Sequence, residues 1–495
     1  MQLIYIGTVF FLFKSGEMLL DTTVRPYLLN AVCKKHLFNN NSLCLNLHNY
    51  PDHEDSVQKE ASLYFFIYRV AANVPAIVTG LFLGAWSDKN GRRLPMVFTC
   101  IGLTLSVPFY IGSMYIGHPT LAVWIILAGT FFQGLSGKGG VITMAVNCFI
   151  AEISDAKNIT KHTGMLFSMN FFGNCFGAFL AGIIGWDLVP YFTVIGINGI
   201  AVIIILVFIK ETKRPSTGKC SNFHKISKTC ANGETDNNSE TKTNPDDCEL
   251  DKTVQSYRTF EGLKLYSGLF TRKRTGFNNL YILILFSVIF LSTCDVTGTV
   301  DVMLLFVSRS PYNWTKSLYS YFVSFDNILM GEALFLTLPF LSKILKLSDI
   351  KLVVIGLFCR VIRYVCTGFS TVTWTMFVYD VIGSGGSFII CIRSILSKVI
   401  EEEELGKFFS IYSVTEIAAK LIGSIVYMGI YSATVSFYPG IAFFVMGLVN
   451  LTMLIATVVV HRLFKKGQHE EVLPIIVKEI KINRNGEIPN VRRQN

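Results

Sequence analysis

The sequence predicts an all-α integral membrane protein of twelve transmembrane helices, built as two six-helix bundles with both termini in the cytosol. Three observations predict this class. Of the 495 residues, 51% are hydrophobic and only 16% charged, whereas an average soluble domain is about 25% charged. Twelve runs have the roughly 20 apolar residues that a spanning helix needs. Lysine and arginine also concentrate in alternate loops, as they do in membrane proteins of fixed orientation.

The twelve apolar runs form two groups of six, separated by one long polar segment. The first group is expected at 3–30, 62–86, 94–116, 119–147, 162–185 and 189–209, and the second at 278–306, 317–341, 351–371, 373–396, 408–432 and 436–460. The first run lacks the basic start and small-residue cleavage site of a signal peptide, so we interpret it as helix 1. The runs define an N-terminal bundle at 1–209, a cytosolic linker at 210–277, a C-terminal bundle at 278–460 and a cytosolic tail at 461–495.

The linker is rich in Lys, Asn, Thr, Asp and Glu, which predicts that part of it is disordered because it cannot bury a core. With the N-terminus inside, the inner segments hold 31 Lys and Arg residues and the outer loops hold 5. The excess of positive charge therefore favours cytosolic termini. Two sequons then lie in outer loops and predict glycosylation at Asn40 and Asn313. Cys33 and Cys44 share the first outer loop, where a disulfide and a pair of free thiols are both open alternatives.

The net charge of +10 does not indicate nucleic-acid binding, because the basic residues lie between apolar runs and no basic soluble domain is present. The lipid bilayer is the expected partner. The sequence has no metal-ligand spacing, no phosphate-binding loop and no nucleophile motif. We therefore expect no enzymatic activity, no metal and no cofactor, and a chain that works as a monomer.

The loop between the second and third runs carries a motif, GAWSDKNGRR, that begins at Gly84. Its physics suits a gate: Gly84 allows close helix packing, and Asp88 can pair across the bundle interface or cap a helix. Gly91 permits a tight turn, and Arg92 and Arg93 can make charge-assisted bonds at the cytosolic face. The stretch resembles the major facilitator signature, G-x-x-x-D-x-x-G-R-R/K.

Four segments also resemble solute carrier family 46, and they lie in both halves of the chain. They are LGAWSDKNGRR at 83–93, TVDVMLLFV at 299–307, RSILSK at 393–398 and YSATVSFYPG at 431–440. The resemblance implies the major facilitator fold, a substrate site between the bundles near the midplane, and transport by rocking of the two halves. It also implies a polar, anionic organic substrate and coupling to a proton gradient, in the plasma membrane or the lysosomal membrane.

Ionisable residues inside the apolar runs are functional candidates, because each costs about 2.5–3.5 kcal/mol to insert. Lys14, Glu17, Asp21 and Arg25 lie on one stripe of helix 1, which should face the cavity or a partner helix. The predicted substrate-binding residues are Arg393, Lys138, Arg69, Glu17 and Asp21. The predicted proton-coupling residues are Asp295, Asp326, Glu332 and Asp380. Arg360 and Arg363 are expected to be mainly structural.

The sequence departs from the family's folate-transporting member at three polar positions. Where that member has Asp, Glu and His, an ungapped comparison places Lys138, Phe167 and Val296, whereas Arg393, Asp88 and Arg92 match. The substrate is therefore open among folate-like compounds, muropeptides and related anionic metabolites. A different class also stays open, namely a non-transporting membrane sensor or scaffold that retains the fold. The intact gate motif and the many intramembrane charges favour transport.

Overall fold

A computed structural model describes residues 2–37, 44, 47, 50–153, 159–185, 188–211, 278–399 and 402–484. Twelve of its helices are long and apolar enough to cross a bilayer, which confirms the predicted fold class. Almost all of the linker at 210–277, Asn40 and the last eleven residues of the tail lie outside the described residues. The disorder of the linker and the boundaries of the domains stay predictions, as does the orientation of the termini.

We number the spans α1 to α12 in chain order. The first half comprises α1 (Gln2–His36), α2 (Pro51–Asn90), α3 (Arg93–Tyr115), α4 (Pro119–Leu135, continued by Lys138–Ile153), α5 (Ile159–Ile184) and α6 (Val189–Phe208). The second half comprises α7 (Asn278–Ser308), α8 (Lys316–Glu332), α9 (Asp349–Phe369), α10 (Thr373–Gly383, continued by Cys391–Val399), α11 (Glu402–Thr434) and α12 (Ile441–Arg484). Helices α2 and α12 are longer than the apolar runs that predicted them, because polar helical turns extend them.

Three spans depart from regular α-helix near their middle or end. In α4 the helix stops after Leu135 and restarts at Lys138, and Gly137 between them has φ +82°. In α10 the segment Ser384–Ile390 is a 3₁₀-helix. In α8 two π-helical turns follow, at Ala333–Thr337 and Phe340–Ile344. Such interruptions are frequent at functional positions of membrane helices, and those of α4 and α10 occupy the fourth span of each half.

The two halves contact each other through α2 against α11 and through α5 against α8. These pairs are equivalent, because exchanging the halves converts α2 into α8 and α5 into α11. Within the first half α1 packs closely on α5, where a Cβ added to Gly173 would lie only 2.8 Å from the Phe11 carbonyl oxygen. The largest buried apolar cluster extends through both halves, and a second lies within the last six helices. We call the end where α1 and α7 finish the loop end.

Candidate functional site

Four polar side chains meet in the interface between the halves, and we call them the Asp301 cluster (Arg25, Arg69, Asp301 and Ser424). Arg69 donates to both carboxylate oxygens of Asp301, with its Nε 3.0 Å from each and its Nη2 2.5 Å from Oδ1. Arg25 Nη2 lies 2.5 Å from the same Oδ1, and the Ser424 hydroxyl donates to Oδ2 at 2.6 Å. Both arginines belong to the first half and the other two residues to the second, so the cluster joins the halves.

The charges of this region balance. Arg25 Nη1 lies 3.8 Å from Asp21 Oδ2, and the Tyr68 hydroxyl donates to Asp21 Oδ1 at 3.0 Å. Two guanidinium groups therefore face two carboxylates, which is the condition for tolerating charge in a dry interior. Two residues predicted to bind substrate, Arg69 and Asp21, have protein partners in this conformation.

The loop end closes over the Asp301 cluster through further contacts between the halves. Arg309 Nη2 lies 2.6 Å from Asp55 Oδ1, and Glu54 Oε1 accepts from the Ser310 backbone N–H at 3.3 Å. Deeper in the interface, Gln58 Nε2 donates to the Leu305 carbonyl at 3.3 Å. These bonds run between α2 and the end of α7, so the halves are joined at the loop end.

Further along α1, towards the end where this helix begins, Glu17 holds the break in α4. Its Oε2 accepts from Lys14 Nζ at 2.9 Å, and its Oε1 accepts from the Gly139 backbone N–H at 3.1 Å. This backbone donor is available because the helix restarts there and its first N–H groups have no partner within the helix. Glu17, a predicted substrate-binding residue, therefore positions the α4 break in this conformation.

Lys138 opens the second part of α4 in a left-handed backbone conformation, with φ +47°. Such a conformation costs a non-glycine residue about 1–2 kcal/mol, and retained strain of this kind concentrates at functional sites. Its ammonium group has no hydrogen bond or ion pair within the described part of the chain. A Cβ on Gly140 would lie 3.9 Å from Ile417 Cδ1 of α11, so this segment of α4 faces the second half.

The second half presents a matching group of charges on α10 and α11. Glu416 lies 3.5 Å from Arg393 Nη2 and 3.1 Å from Lys420 Nζ, and the Lys420 side chain is 45% exposed. The Arg393 guanidinium also lies 4.9 Å from the ring centroid of Phe167 in α5, a cation–π distance across the halves. Phe167 stands where the folate-transporting member of the family has Glu, so this position contributes a ring in place of a charge.

Two predicted proton-coupling residues, Asp326 and Asp380, share one arginine. Arg363 Nη1 lies 3.1 Å from Asp326 Oδ1, and its Nη2 pairs with Asp380 Oδ1. The second oxygen of Asp380 is buried without a hydrogen-bond partner. Arg363 therefore joins α8, α9 and α10 in this conformation.

The other two predicted proton-coupling residues have neutral partners. Asp295 is fully buried in α7, where it accepts from the Tyr427 hydroxyl and from Asn450 Nδ2, the latter at 2.7 Å. It has no cation within ion-pair distance among the described residues. Glu332 accepts from the Thr337 hydroxyl at 2.9 Å, next to the π-helical turns of α8.

The described contacts of the signature loop are with the first half and with Glu211, which follows α6. Gly91 ends α2 with φ +104°, a conformation that favours glycine, and its N–H donates to the Ser87 carbonyl. Arg92 Nη1 donates to the Ser87 hydroxyl at 2.6 Å. The Arg93 backbone N–H donates to Glu211 Oε1 at 3.2 Å, and its guanidinium donates to the Leu206 carbonyl. The side-chain surroundings of Gly84 and Asp88 lie outside the described residues, so the gating role stays a prediction.

At the loop end, Cys33 and Cys44 are joined by a disulfide, which fastens the loop after α1 to that helix. Asn313 lies between α7 and α8 with φ +47°, which asparagine tolerates better than most residues. No group of three or more His, Cys, Asp or Glu side chains that could hold a metal lies within the described ranges.

The sequence alone assigns no role to several residues that the structure brings into these groups. They are Ser424, Tyr427 and Asn450, together with Asp301, which the sequence marks only as an intramembrane charge. Asp301 lies 276 residues from Arg25 and 232 from Arg69. The signals for it in the sequence are a carboxylate inside an apolar run and its place in the segment TVDVMLLFV, which resembles the family.

Comparison with known proteins gives a consistent result. The family model of the Major Facilitator Superfamily matches residues 59–346. The rat lysosomal proton-coupled steroid conjugate and bile acid symporter SLC46A3 is 25% identical over 413 residues, covering 79% of this chain and 78% of the relative. The rat proton-coupled folate transporter is 24% identical over 415 residues, covering 79% and 77%. The solved structure of the human organic anion transporter MFSD10 has the same fold, with a TM-score of 0.60 and 15% identity, covering 92% of this chain and 99% of that one.

Proposed function

Because this chain belongs to the Major Facilitator Superfamily, we propose that it is a secondary active transporter that carries an organic anion together with a proton. Transport would proceed by alternating access, through rocking of the two halves about the charged groups between them. Relatives with modest identity support this direction, since two of them are named as a proton-coupled steroid conjugate and bile acid symporter and a proton-coupled folate transporter.

The observation that carries the proposal is Lys138. It is a strained cation at a helix break that faces the opposite half, and both carboxylates near it on α1 are engaged by other partners. A half-buried cation without an ion-pair partner is costly, and an anionic substrate would supply that partner. Arg393 and Lys420 on the second half would bind the same anion from the other side.

The charge balance of the site supports an anion over a cation. Among the described residues of this region, α1 and α4 contribute Lys14, Lys138 and Glu17, and α10 and α11 contribute a further set of two cations and one carboxylate (Arg393, Lys420 and Glu416). Each of these two groups of three side chains therefore carries a net charge of +1 when all six are ionised. The ring of Phe167 adds an apolar surface, which suits an anion with an aromatic or hydrocarbon body.

Asp295 is the residue we assign to the transported proton. Its hydrogen-bond partners are neutral, and burial of an ionised carboxylate without a cation is expensive, so the protonated form suits the site. All of these partners belong to the second half. The surroundings of Asp295 therefore move with it during rocking, so a bound proton would be retained from one state to the other.

Uptake into cells that display the protein at their surface tests the proposal. The solutes would be a labelled folate, a muropeptide, a bile acid and a steroid sulfate, each at acidic and at neutral external pH. We expect saturable uptake of one solute, faster at acidic pH. Lys138→Ala and Arg393→Ala should each reduce it by about 10- to 100-fold, since a charged hydrogen bond contributes about 1.5–3 kcal/mol.

Two variants complete the design. Lys351→Ala removes an exposed lysine at the start of α9 and should leave uptake unchanged. Asp295→Asn should leave uptake measurable but remove its dependence on pH. Uptake that is equal at both pH values would contradict the proton coupling. Absence of uptake of every solute, by a chain shown to be at the surface, would favour the sensor or scaffold alternative.

A further inference from the structure

A cavity of about 270 Å³ opens at the loop end of the first half, between α1 and the connection from α3 to α4. One wall is formed by α1, which contributes Tyr27, Asn30, Ala31 and Lys34. The spacing of these four residues puts them on a single face of the helix. The opposite wall comes from the residues where α3 ends and α4 begins. All of the described residues that line the cavity therefore belong to the first half.

The polar side chains of this cavity suit a negatively charged group. Lys34 is half-buried, and its ammonium group makes no hydrogen bond or ion pair within the described part of the chain. The Asn30 amide likewise makes no hydrogen bond to a described residue. Tyr27 donates to the Ser113 carbonyl of α3 at 3.1 Å and thereby ties the two walls together. No Asp or Glu is among the described lining residues, so the charge of the cavity favours an anion.

The charges around the cavity strengthen this preference. Glu60 of α2 contacts the end of α1, but it is engaged there by Lys35 and His36. Lys316, at the start of α8, is close enough to Lys34 for the two positive charges to repel each other. An anion held by Lys34 would relieve this repulsion between the two halves.

The length of α3 places the cavity at the level of the lipid headgroups. This span has 23 residues, from Arg93 to Tyr115, and is therefore about 35 Å long, whereas the hydrocarbon core of a bilayer is about 30 Å thick. Tyr115 lines the cavity and is 72% exposed at the last position of the span. Trp124, in the second turn of α4, is 53% exposed. Exposed Tyr and Trp side chains are typical of the membrane–water interface.

The size and the apolar part of the lining narrow the class of ligand. Pockets for drug-sized molecules have volumes of about 300–1,000 Å³, so this cavity suits a headgroup better than a whole organic solute. Met114, Ile116 and Ala122 add an apolar surface beside the polar groups. The ligand is therefore amphiphilic. Among the described lining residues there is no carboxylate to receive a choline or ethanolamine cation, which favours a headgroup with a net negative charge.

We propose that this cavity binds the headgroup of an anionic phospholipid from the leaflet on the loop side. Lys34 pairs with the phosphate, and the Asn30 amide donates to one of its oxygens. The glycerol part packs against the apolar surface, and the acyl chains extend into the bilayer. Lysine at the headgroup level attracts anionic lipids in this way. The site is separate from the proposed transport, because lipid binding requires neither the substrate nor the proton.

Titration of the purified chain with a fluorescent phospholipid tests the site. The protein would be held in a neutral detergent, and the lipid would be phosphatidylglycerol with a fluorescent acyl chain. We expect saturable binding that is about tenfold tighter or more than that of phosphatidylcholine with the same chains and label. Lys34→Ala should weaken the tightest class of phosphatidylglycerol binding by about tenfold or more, because it removes a charge-assisted hydrogen bond.

Three further variants separate the cavity from the general charge of the surface. Lys59→Ala is the matched control, since Lys59 is an exposed lysine of α2 at the same end and does not line the cavity. It should leave the affinity for phosphatidylglycerol unchanged. Lys34→Arg keeps the charge and should retain binding. Asn30→Leu keeps the charge and the approximate size but removes the amide, so it should weaken binding by about threefold to tenfold.

Equal weakening in Lys34→Ala and Lys59→Ala would overturn the site, because binding would then follow only the net charge of the surface. Equal affinity for phosphatidylglycerol and phosphatidylcholine would overturn the preference for an anionic headgroup. Inorganic phosphate that displaces the fluorescent lipid as effectively as unlabelled phosphatidylglycerol would show a site for free anions and overturn the assignment to a lipid. If Lys34→Ala is not recovered in folded form, unchanged affinity in Asn30→Leu would overturn the site in its place.

Discussion

Replacement of Lys138 separates the strain in the α4 break from the charge that we assign to substrate binding. Lys138→Ala and Lys138→Gly both remove the ammonium group, but only glycine adopts φ +47° without a steric penalty. The difference between the two variants therefore isolates the backbone contribution. Lys138→Arg keeps the charge and the strain, and serves as the matched control for transport.

The magnitude follows from the conformation. A left-handed non-glycine residue costs about 1–2 kcal/mol, and glycine loses about 0.5–1 kcal/mol more chain entropy than alanine on folding. The free energy of unfolding of Lys138→Gly should therefore be about 0.5–1 kcal/mol higher than that of Lys138→Ala. At the usual slope for large domains this is about 1–3 °C in the midpoint of thermal unfolding.

Thermal unfolding of the purified variants in one detergent measures the stability, and uptake in cells measures the function. We expect the two readouts to diverge: Lys138→Gly should be more stable than Lys138→Ala, yet both should lose uptake. Lys138→Arg should retain part of the uptake. A glycine variant less stable than the alanine variant would refute the strain, and wild-type uptake in either variant would refute the binding role of the ammonium group.

Two further predictions concern the second half and the orientation of the chain. Arg363→Leu leaves the buried Asp380 and the half-buried Asp326 without their cation, and we expect it to lower the free energy of unfolding by about 3–5 kcal/mol. Adding Asp380→Asn should recover part of that loss, whereas an unchanged melting temperature in Arg363→Leu would show that the shared arginine is not structural. Asn313→Asp keeps a residue that tolerates φ +47° while it removes the glycan acceptor, so a fall in apparent mass on gels would place the α7–α8 loop on the non-cytosolic side. If Asn313→Asp migrates like the parent chain, and Asn40 also carries no glycan, the result would contradict the predicted orientation.

The fold is predictable from the sequence because hydropathy is a local property of the chain. Each of the twelve spans is recognisable within about 20 residues, and no knowledge of its neighbours is needed. Local charge pairing is predictable for the same reason. Lys14 and Glu17 are three residues apart on one helix and form the ion pair that this spacing favours.

The long-range arrangement of the charges is not predictable in this way. Arg69 and Asp301 are 232 residues apart, and each stands in the sequence only as a costly group inside an apolar run. Which carboxylate reaches which guanidinium depends on how the two halves are juxtaposed. For this reason the sequence assigns Arg69 to the substrate, whereas the structure places it against Asp301. The break at Lys138 has a clearer signal, since glycines surround it in GKGG.

The partners of the lysine and arginine side chains inside the spans indicate the charge of the substrate. Eight lysine and arginine side chains lie in the interior of the spans: Lys14, Arg25, Arg69, Lys138, Arg360, Arg363, Arg393 and Lys420. Seven of them bind a carboxylate or, for Arg360, the Ser292 hydroxyl. Within the described residues, Lys138 alone has no such partner.

Among the predicted proton-coupling residues, Asp295 is likewise an acid without an ion-pair partner in the described part of the chain. Asp326 and Asp380 have Arg363, whereas Asp295 is fully buried and has only neutral donors. A cation and an acid that each lack an ion-pair partner are expensive in a membrane interior, and their retention indicates a function for both. In the proposed cycle, an anionic substrate would pair with Lys138 and a proton would occupy Asp295. Simultaneous occupation of both sites would give each of these two groups a neutralising partner, which would lower the cost of rocking the two halves through a low-dielectric intermediate.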